Sequence, residues 1–385
     1  MILKKLFLLM AEKSASDIFV SAGTPLQIKI NGVTQPVNPQ VINAEDAQKI
    51  CYEILTPAQI ERLEKDRELN ISFPIEGTGN FRVNMFWQKG SPAAVVRFIT
   101  TAIPDMRTLG LPQVLAQLIM EKRGLVLMVG ATGSGKSTSL ASMIDFRDST
   151  RSGHILTFED PIEYVFRSKK SIVNQREIGN DCHSFMEAGR NAMRQAPDVI
   201  LVGEIRDVET MKMGMMYSLS GHLCLATLHA NNSYHALNRI INFFPLDQRN
   251  ILLSDLGVSL RAIVSQRLIK TVDGGRTATI EILLNTTNIA ELISEGAVGE
   301  IKEAMEKSLT PGSQTFEQDL FRLIKQGKIT VEEGIANADS PTNLSLLIGN
   351  SGMIPAYKDG KEPPQAPGRS GAPSFSEFKI SADTE

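Results

Sequence analysis

Across residues 1–100, short runs that alternate apolar and polar positions surround one stretch of helical periodicity. Asp17 to Val20, Leu26 to Ile30, Phe81 to Trp87 and Ala93 to Ile99 read as strands, and Asn31-Gly32 reads as a hairpin turn because both residues tolerate positive φ. The 3.6-residue spacing around 44–66 predicts one amphipathic helix. At the start, two lysines precede an apolar stretch of about six residues, shorter than the 7–15 of a signal peptide, so residues 1–10 read as an amphipathic helix packed on its own domain. Together these elements predict a small α+β domain over 1–100.

The pattern then changes. Residues 101–112 carry two prolines, a glycine and mixed charge, and read as a connection. Over 113–285, apolar strands at 125–129, 154–158, 199–203 and 223–228 alternate with helical segments, which predicts an α/β domain with a parallel sheet and crossover helices. Residues 286–339 turn helical, a cap on that domain. Beyond 340 six prolines sit among Gly, Ser and Lys, too little apolar surface to offset ordering entropy, so 340–385 reads as a disordered tail with Leu344, Leu346, Leu347 and Ile348 as a docking segment.

Composition narrows the function classes. The net charge of −3, with signs interspersed, gives no basic footprint for nucleic acid. Three cysteines, far apart, form no C-x-x-C pair and suggest neither a zinc site nor a disulfide framework, as suits a reducing cytoplasm. No stretch reaches the roughly 18 apolar residues of a membrane span, so no direct insertion is expected and any membrane association goes through a partner.

The candidate chemistry starts at Gly130. Gly130, Ala131, Thr132, Gly133, Ser134, Gly135, Lys136, Ser137 and Thr138 satisfy G-x-x-x-x-G-K-[ST] directly after the apolar run Leu125 to Val129. Glycines let consecutive N–H groups turn toward phosphates, Lys136 reaches the β and γ oxygens, and the Ser137 hydroxyl is a Mg²⁺ ligand. The competing reading is a glycine-rich turn in an unrelated α/β protein. The strand before the loop and the helix after it argue against that.

Hydrolysis needs more than a cradle, and each further group has a bland alternative. Asp198 to Glu204 is an apolar strand ending in an acid, with Glu204 placed to support Mg²⁺ directly or through water; an incidental strand-end acid is the alternative. Glu159, Asp160 and Glu163 cluster at the carboxyl end of another strand, where open α/β sheets bind ligands and a carboxylate can orient water; the alternative is a solvated acidic turn. His222 and His229 bracket a six-residue strand of roughly 20 Å, too far apart to share a metal. His229, at the carboxyl edge, is placed to sense a phosphate or carboxylate, while His222 stays undecided between a subunit contact and a structural role. Arg82 and Arg97 lie on first-domain strands: they are either the solvated face or arginines delivered to a phosphoryl group from another domain.

Taken in order, GATGSGKS, ILTFEDPIEYV, APDVILVGEIRD and SGHLCLATLHANN resemble the Walker A, Asp box, Walker B and His box of the secretion and type IV pilus motor ATPases. FRVNMFW and VVRFI resemble that family's N-terminal arginine strands. The retraction branch, PilT and PilU, is the most similar. The resemblance implies a PAS-like domain before a RecA-like ATPase domain, ATP and Mg²⁺ as ligands, a homo-hexamer, and work on an inner-membrane platform protein from the cytoplasmic side. It also implies Glu163 as the water-orienting carboxylate, Glu204 for Mg²⁺, Arg82 and Arg97 for the phosphates, and His222 and His229, with Glu159 and Asp160 nearby, for coupling. One departure is informative: PilT carries an arginine-bearing segment in its cap where this chain has Ala290 and Ser294. That suits PilU, which assists retraction beside a PilT partner. A nucleotide-gated adaptor that needs no hydrolysis, and a DNA or secretion motor of the same superfamily, remain as alternatives.

Overall fold

The computed structural model describes residues 2–351 except Ser14, Asn31, Glu76, Thr100, Thr101 and Leu309. The first domain runs α1 (Ile2–Glu12), β1 (Asp17–Val20), β2 (Pro25–Ile30), β3 (Val33–Val41), α2 (Ala44–Tyr52), α3 (Pro57–Asp66), β4 (Glu68–Ile75), β5 (Gly79–Gln88) and β6 (Ser91–Ile99). Its strands form one antiparallel sheet in the order β3-β2-β1-β6-β5-β4. Leu3, Leu6, Phe7 and Met10 recur at helical spacing and are buried, with Phe7 stacked on Phe81 at 4.4 Å, so the first helix packs on its own domain as its periodicity predicts. Ile30 pairs with Val33 across the antiparallel β2–β3 ladder; Asn31 of the expected turn lies outside the described residues.

The helix expected over 44–66 is two helices. Thr56 and Gln59 form a capping box, with Pro57 at the first position of α3, so a fresh N-terminus is more stable there than continuation of α2.

The second domain follows as α4 (Val114–Leu118), β7 (Gly124–Val129), α5 (Lys136–Thr150), β8 (His154–Glu159), β9 (Ile172–Glu177), α6 (Phe185–Ala192), β10 (Val199–Val202), α7 (Val208–Leu219), β11 (Leu223–Leu228), α8 (Ser233–Phe243), α9 (Arg249–Ser259), β12 (Leu260–Lys270), β13 (Arg276–Leu284), α10 (Thr287–Ser294), α11 (Ile301–Glu306), α12 (Phe316–Lys325), α13 (Val331–Asn337) and α14 (Pro341–Asn350). Its sheet has the order β13-β12-β7-β11-β10-β8-β9, parallel throughout except for β13 on β12. Every residue of β7 is buried: Leu125, Leu127 and Val129 enter the core on one face, Val126 and Met128 the core on the other. Each such side chain contributes about 1.5–3 kcal/mol, which is why a continuous apolar run marks this strand.

Two features of the cap depart from or extend the sequence reading. In α10, Ala290 and Ser294 pack so closely on Gly257 of α9 that a β-carbon there would lie 2.3 Å from Ser294 Oγ and 3.0 Å from the Ala290 carbonyl. Residues 341–350, read as the start of a disordered tail, instead form α14. Ser340 caps it, Pro341 opens it, and Leu344 and Ile348, one turn apart, are buried in a cluster with Phe316, Leu320 and Leu323 of α12. The docking segment therefore docks on its own domain. The rest of that tail expectation, over 352–385, lies outside the described residues.

Candidate active site

Strand β7 lies beside the central strand of the sheet, and the chain turns through Gly130–Gly135 into α5, whose N-terminus faces the turn. Two glycines are needed for contact reasons. A β-carbon on Gly130 would meet Ser134 Oγ at 2.4 Å and the Gln266 carbonyl at 2.5 Å; one on Gly135, at φ +86°, would meet Gln266 Nε2 at 2.8 Å. Gln266 of β12 braces the loop from beneath: its Nε2 donates to the Ser134 carbonyl at 2.8 Å and its Oε1 accepts from Ser139 Oγ at 2.7 Å. Sequence reasoning missed Gln266. Its strand also carries Arg261, Ser265, Arg267 and Lys270, so no local pattern singles the amide out; the pairing of β12 with β7 makes the contact.

Lys136 Nζ donates to the Gly130 and Ala131 carbonyls at 2.8 and 2.9 Å. Burial pushes its pKa down, and the charges of Glu163 and Glu204 push it back up. The side chain is thus held over the loop, in a cavity that both carboxylates also line.

A cavity of about 670 Å³ opens over the loop, lined by Thr132, Gly133, Gly135, Lys136, Ser137 and Thr138. Glu159, Asp160, Glu163, Glu204 and His229 reach it from the strand ends, and Arg82 and Arg97 from the first domain. Ala131 lies in the adjoining cavity beside His229, and Ser134 turns its side chain into the protein, its Oγ buried without a partner among the described residues.

The three clustered acids have different surroundings. Glu159 Oε1 accepts from Thr157 Oγ1 at 2.7 Å and Gln175 Nε2 at 3.1 Å, and burial pushes its pKa up. Asp160 pairs with Arg206 at 3.1 Å. The Glu163 carboxylate has no hydrogen-bond partner among the described residues, while the next side chain, Tyr164, bonds Thr138 Oγ1 at 2.9 Å. Of the three, Glu163 is the one whose oxygens are available to water.

At the end of β10, Gly203 approaches β8 so closely that a β-carbon would sit 2.9 Å from the Phe158 carbonyl. This brings Glu204 to the cavity, where His229 Nε2 lies 3.6 Å from its Oε1. His222 is at the opposite edge of the sheet, before β11, with its Nδ1 buried and unpartnered among the described residues; the geometry does not bring it to the cavity. Arg82 and Arg97 face each other across the β5–β6 ladder. Arg97 Nε pairs with buried Asp17 at 2.9 Å, whereas Arg82 makes no hydrogen bond or ion pair among the described residues. Arg276, at the start of β13, is a further cation on the cavity wall that the sequence reading did not single out.

Glu281 of β13 was also missed. It is 5% exposed and accepts from Ser233 N at 2.7 Å and Ser265 Oγ at 3.1 Å, holding the first turn of α8 just after His229. Burial raises its pKa above the ordinary 4.5. The folded chain therefore keeps this proton to higher pH than the unfolded chain, so the associated stability is full below the ordinary value and is lost as pH rises through the folded one. Glu281→Gln keeps an acceptor and carries no charge. Its melting temperature relative to wild type should improve as pH rises above the ordinary carboxylate range, and a pH-independent difference in thermal melts would contradict this.

The model of the family described as "Type II/IV secretion system protein" matches residues 1–336. The type IV pilus ATPase PilU of Pseudomonas aeruginosa is 46% identical over 346 residues, covering 90% of this chain and 91% of PilU. PilT of the same organism, a type IV pilus retraction ATPase, is 39% identical, covering 87% and 97%. Among solved structures, the retraction motor PilT with bound ADP superposes with a TM-score of 0.82 at 41% identity over 89% of this chain and 97% of that one. The Legionella pneumophila ATPase DotB gives 0.73 at 28% identity, covering 88% and 96%. The expected α/β nucleotide domain behind a small α+β domain is the fold these proteins share. By family match, fold and length covered, the chain is an ATPase of the type II/IV secretion family and belongs to its PilT/PilU branch.

Proposed function

We propose that this ATPase is a motor of the type IV pilus machinery that assists retraction in the manner of PilU, as a ring of six subunits. The observation that carries the reading is a single cavity in which first-domain arginines face the phosphate loop, Glu163 and Glu204 of the second domain. Hydrolysis placed there makes phosphate charge a determinant of how the two domains close.

In this reading Lys136 leaves the Gly130 and Ala131 carbonyls for the β and γ oxygens of ATP. Glu163 orients the attacking water, and Arg82 and Arg97 spread over the transferring phosphoryl. Ser137 and Glu204, hard oxygen donors on one wall, fit Mg²⁺, with Glu204 acting directly or through water. Held there, it would supply positive charge to offset that of the phosphates. His229, beside Glu204, senses the γ-phosphate, and His222 serves a structural or subunit role away from it. The nucleoside fits the neighbouring cavity of about 470 Å³, which shares Gly135, Thr138, Leu268 and Arg276 and is closed by Arg107 of the interdomain connection.

No helix among the described residues is long and apolar enough to cross a membrane, so we place the motor at the inner membrane through the platform protein. In cells lacking the native chain but keeping a PilT partner, wild type should restore assisted retraction and Lys136→Ala should not. Full restoration by Lys136→Ala would favour the adaptor reading. Salt-dependent duplex binding at physiological ionic strength would favour a DNA motor.

A further inference from the structure

The loop that carries His229 is fastened to the C-terminal end of the described chain. Arg267 of β12 sits at the junction. Its Nη1 donates to the Asn337 carbonyl at 2.7 Å, its Nη2 to the Asn231 carbonyl at 3.1 Å and to Asp339, and its guanidinium lies 4.0 Å from the centre of the Phe316 ring. The other oxygen of Asp339 accepts from Asn232 Nδ2 at 2.7 Å. Asn231 and Asn232, two and three residues after His229, are therefore both held by this ion pair, one through its carbonyl and one through its side chain. Asn232 is also the N-cap of α8, accepting from His235 N at 2.9 Å, so moving it frees the start of the helix.

Asp339 lies beyond the family match, in the three-residue link between α13 and α14. The link is fixed on its far side too: Ser340 N donates to buried Glu317 at 2.7 Å, and Leu344 and Ile348 anchor α14 on α12. Removing the Asp339 charge would leave Arg267, three-quarters enclosed, facing only two carbonyls and a ring. An amide there has one oxygen to share between Arg267 and the Asn232 Nδ2, where the carboxylate gives each its own. The loop would lose one of these contacts, and its Asn231 carbonyl would be held by an arginine without a counter-charge.

We propose that Asp339, with Arg267, is a positioning residue for ATP hydrolysis, holding His229 against Glu204 and linking the seat of α14 to the state of the catalytic cavity. This rests on the role of His229 given above. The ties fall on the loop and not on the phosphate cradle, so their loss slows turnover without weakening ATP binding.

The test uses the full chain. Asp339→Asn, nearly isosteric and able to keep α14 seated, should lower kcat about tenfold with KM for ATP changed less than about twofold, the signature of a group that acts after binding. Backbone amides of 230–233 should exchange faster. Leu346→Ser, on the outward face of the same helix, should leave kcat unchanged. In a His229→Ala background, Asp339→Asn should change kcat less than about twofold, since it acts through a side chain already removed. An unchanged kcat, a loss carried by KM, or the same tenfold loss in the His229→Ala background would overturn the proposal. Wild-type turnover by His229→Ala alone would overturn its premise, and that arm contains no Asp339 change.

Discussion

Lys136→Ala should release phosphate from Mg²⁺-ATP at least about a thousandfold more slowly than wild type, and bind ATP weakly as well. The side chain is the ammonium at the floor of the cavity, held by two loop carbonyls that can let it go, and Glu163 and Glu204 line the same cavity. Its removal leaves those two carboxylates facing the triphosphate with nothing on the loop to offset them. Repulsion then adds to the lost attraction, so both affinity and rate fall. Arginine would not substitute well, because its planar fork presents donors in a different geometry from a compact ammonium. Phosphate release and nucleotide titration on the same preparations check both halves; wild-type turnover no higher than that of the variant would remove the catalytic reading altogether.

Glu163→Gln should separate the two quantities. A water-orienting carboxylate contributes about 10²–10⁴ in rate, and the amide keeps its shape while losing most of its pull on a proton. Since Glu163 pairs with nothing else among the described residues, the change should cost little stability, and removing a negative charge from the cavity should leave ATP binding equal or tighter. The expected variant is a trapped, ATP-loaded chain. Parallel variants at Glu159 give the contrast: that carboxyl is committed to Thr157 and Gln175, so Glu159→Gln should act mainly on folding. If Glu159→Gln abolished turnover while Glu163→Gln preserved it, the assignment of the water-orienting acid would move to Glu159.

The sequence was most legible where one short segment carries both an element and its chemistry. Residues 125–138 are a strand, a loop and a helix start in direct succession, so spacing alone locates the cradle. Glu204 and His229 follow the same rule, each ending a strand that reads as apolar. What escaped has a common cause. Gln266, Arg276 and Glu281 come from β12 and β13, more than 120 residues after the loop; the first two come to the loop and its cavity, and Glu281 to the start of α8, only because β12 pairs with β7. No local spacing encodes that pairing. Strand β9 was missed because it is an edge strand whose residues are mostly exposed or half-buried, which leaves no apolar run to see. The break between α2 and α3 was written in Thr56, Pro57 and Gln59, but the apolar periodicity on either side outweighed those signals. Among the three acids at 159–163, sequence could name the group but not the one left available, because that depends on partners at Thr157, Gln175 and Arg206.

Gln266 and Arg267 are successive residues of one strand, and successive side chains in a strand leave opposite faces. One braces the phosphate loop; the other holds the histidine loop and the C-terminal link. A single inserted or deleted residue within β12 would exchange the two faces and disconnect both at once. The hairpin tip is the place where length can change without that cost: Asp273 and Gly274 stand in solvent there, and a residue more or less shifts neither side chain.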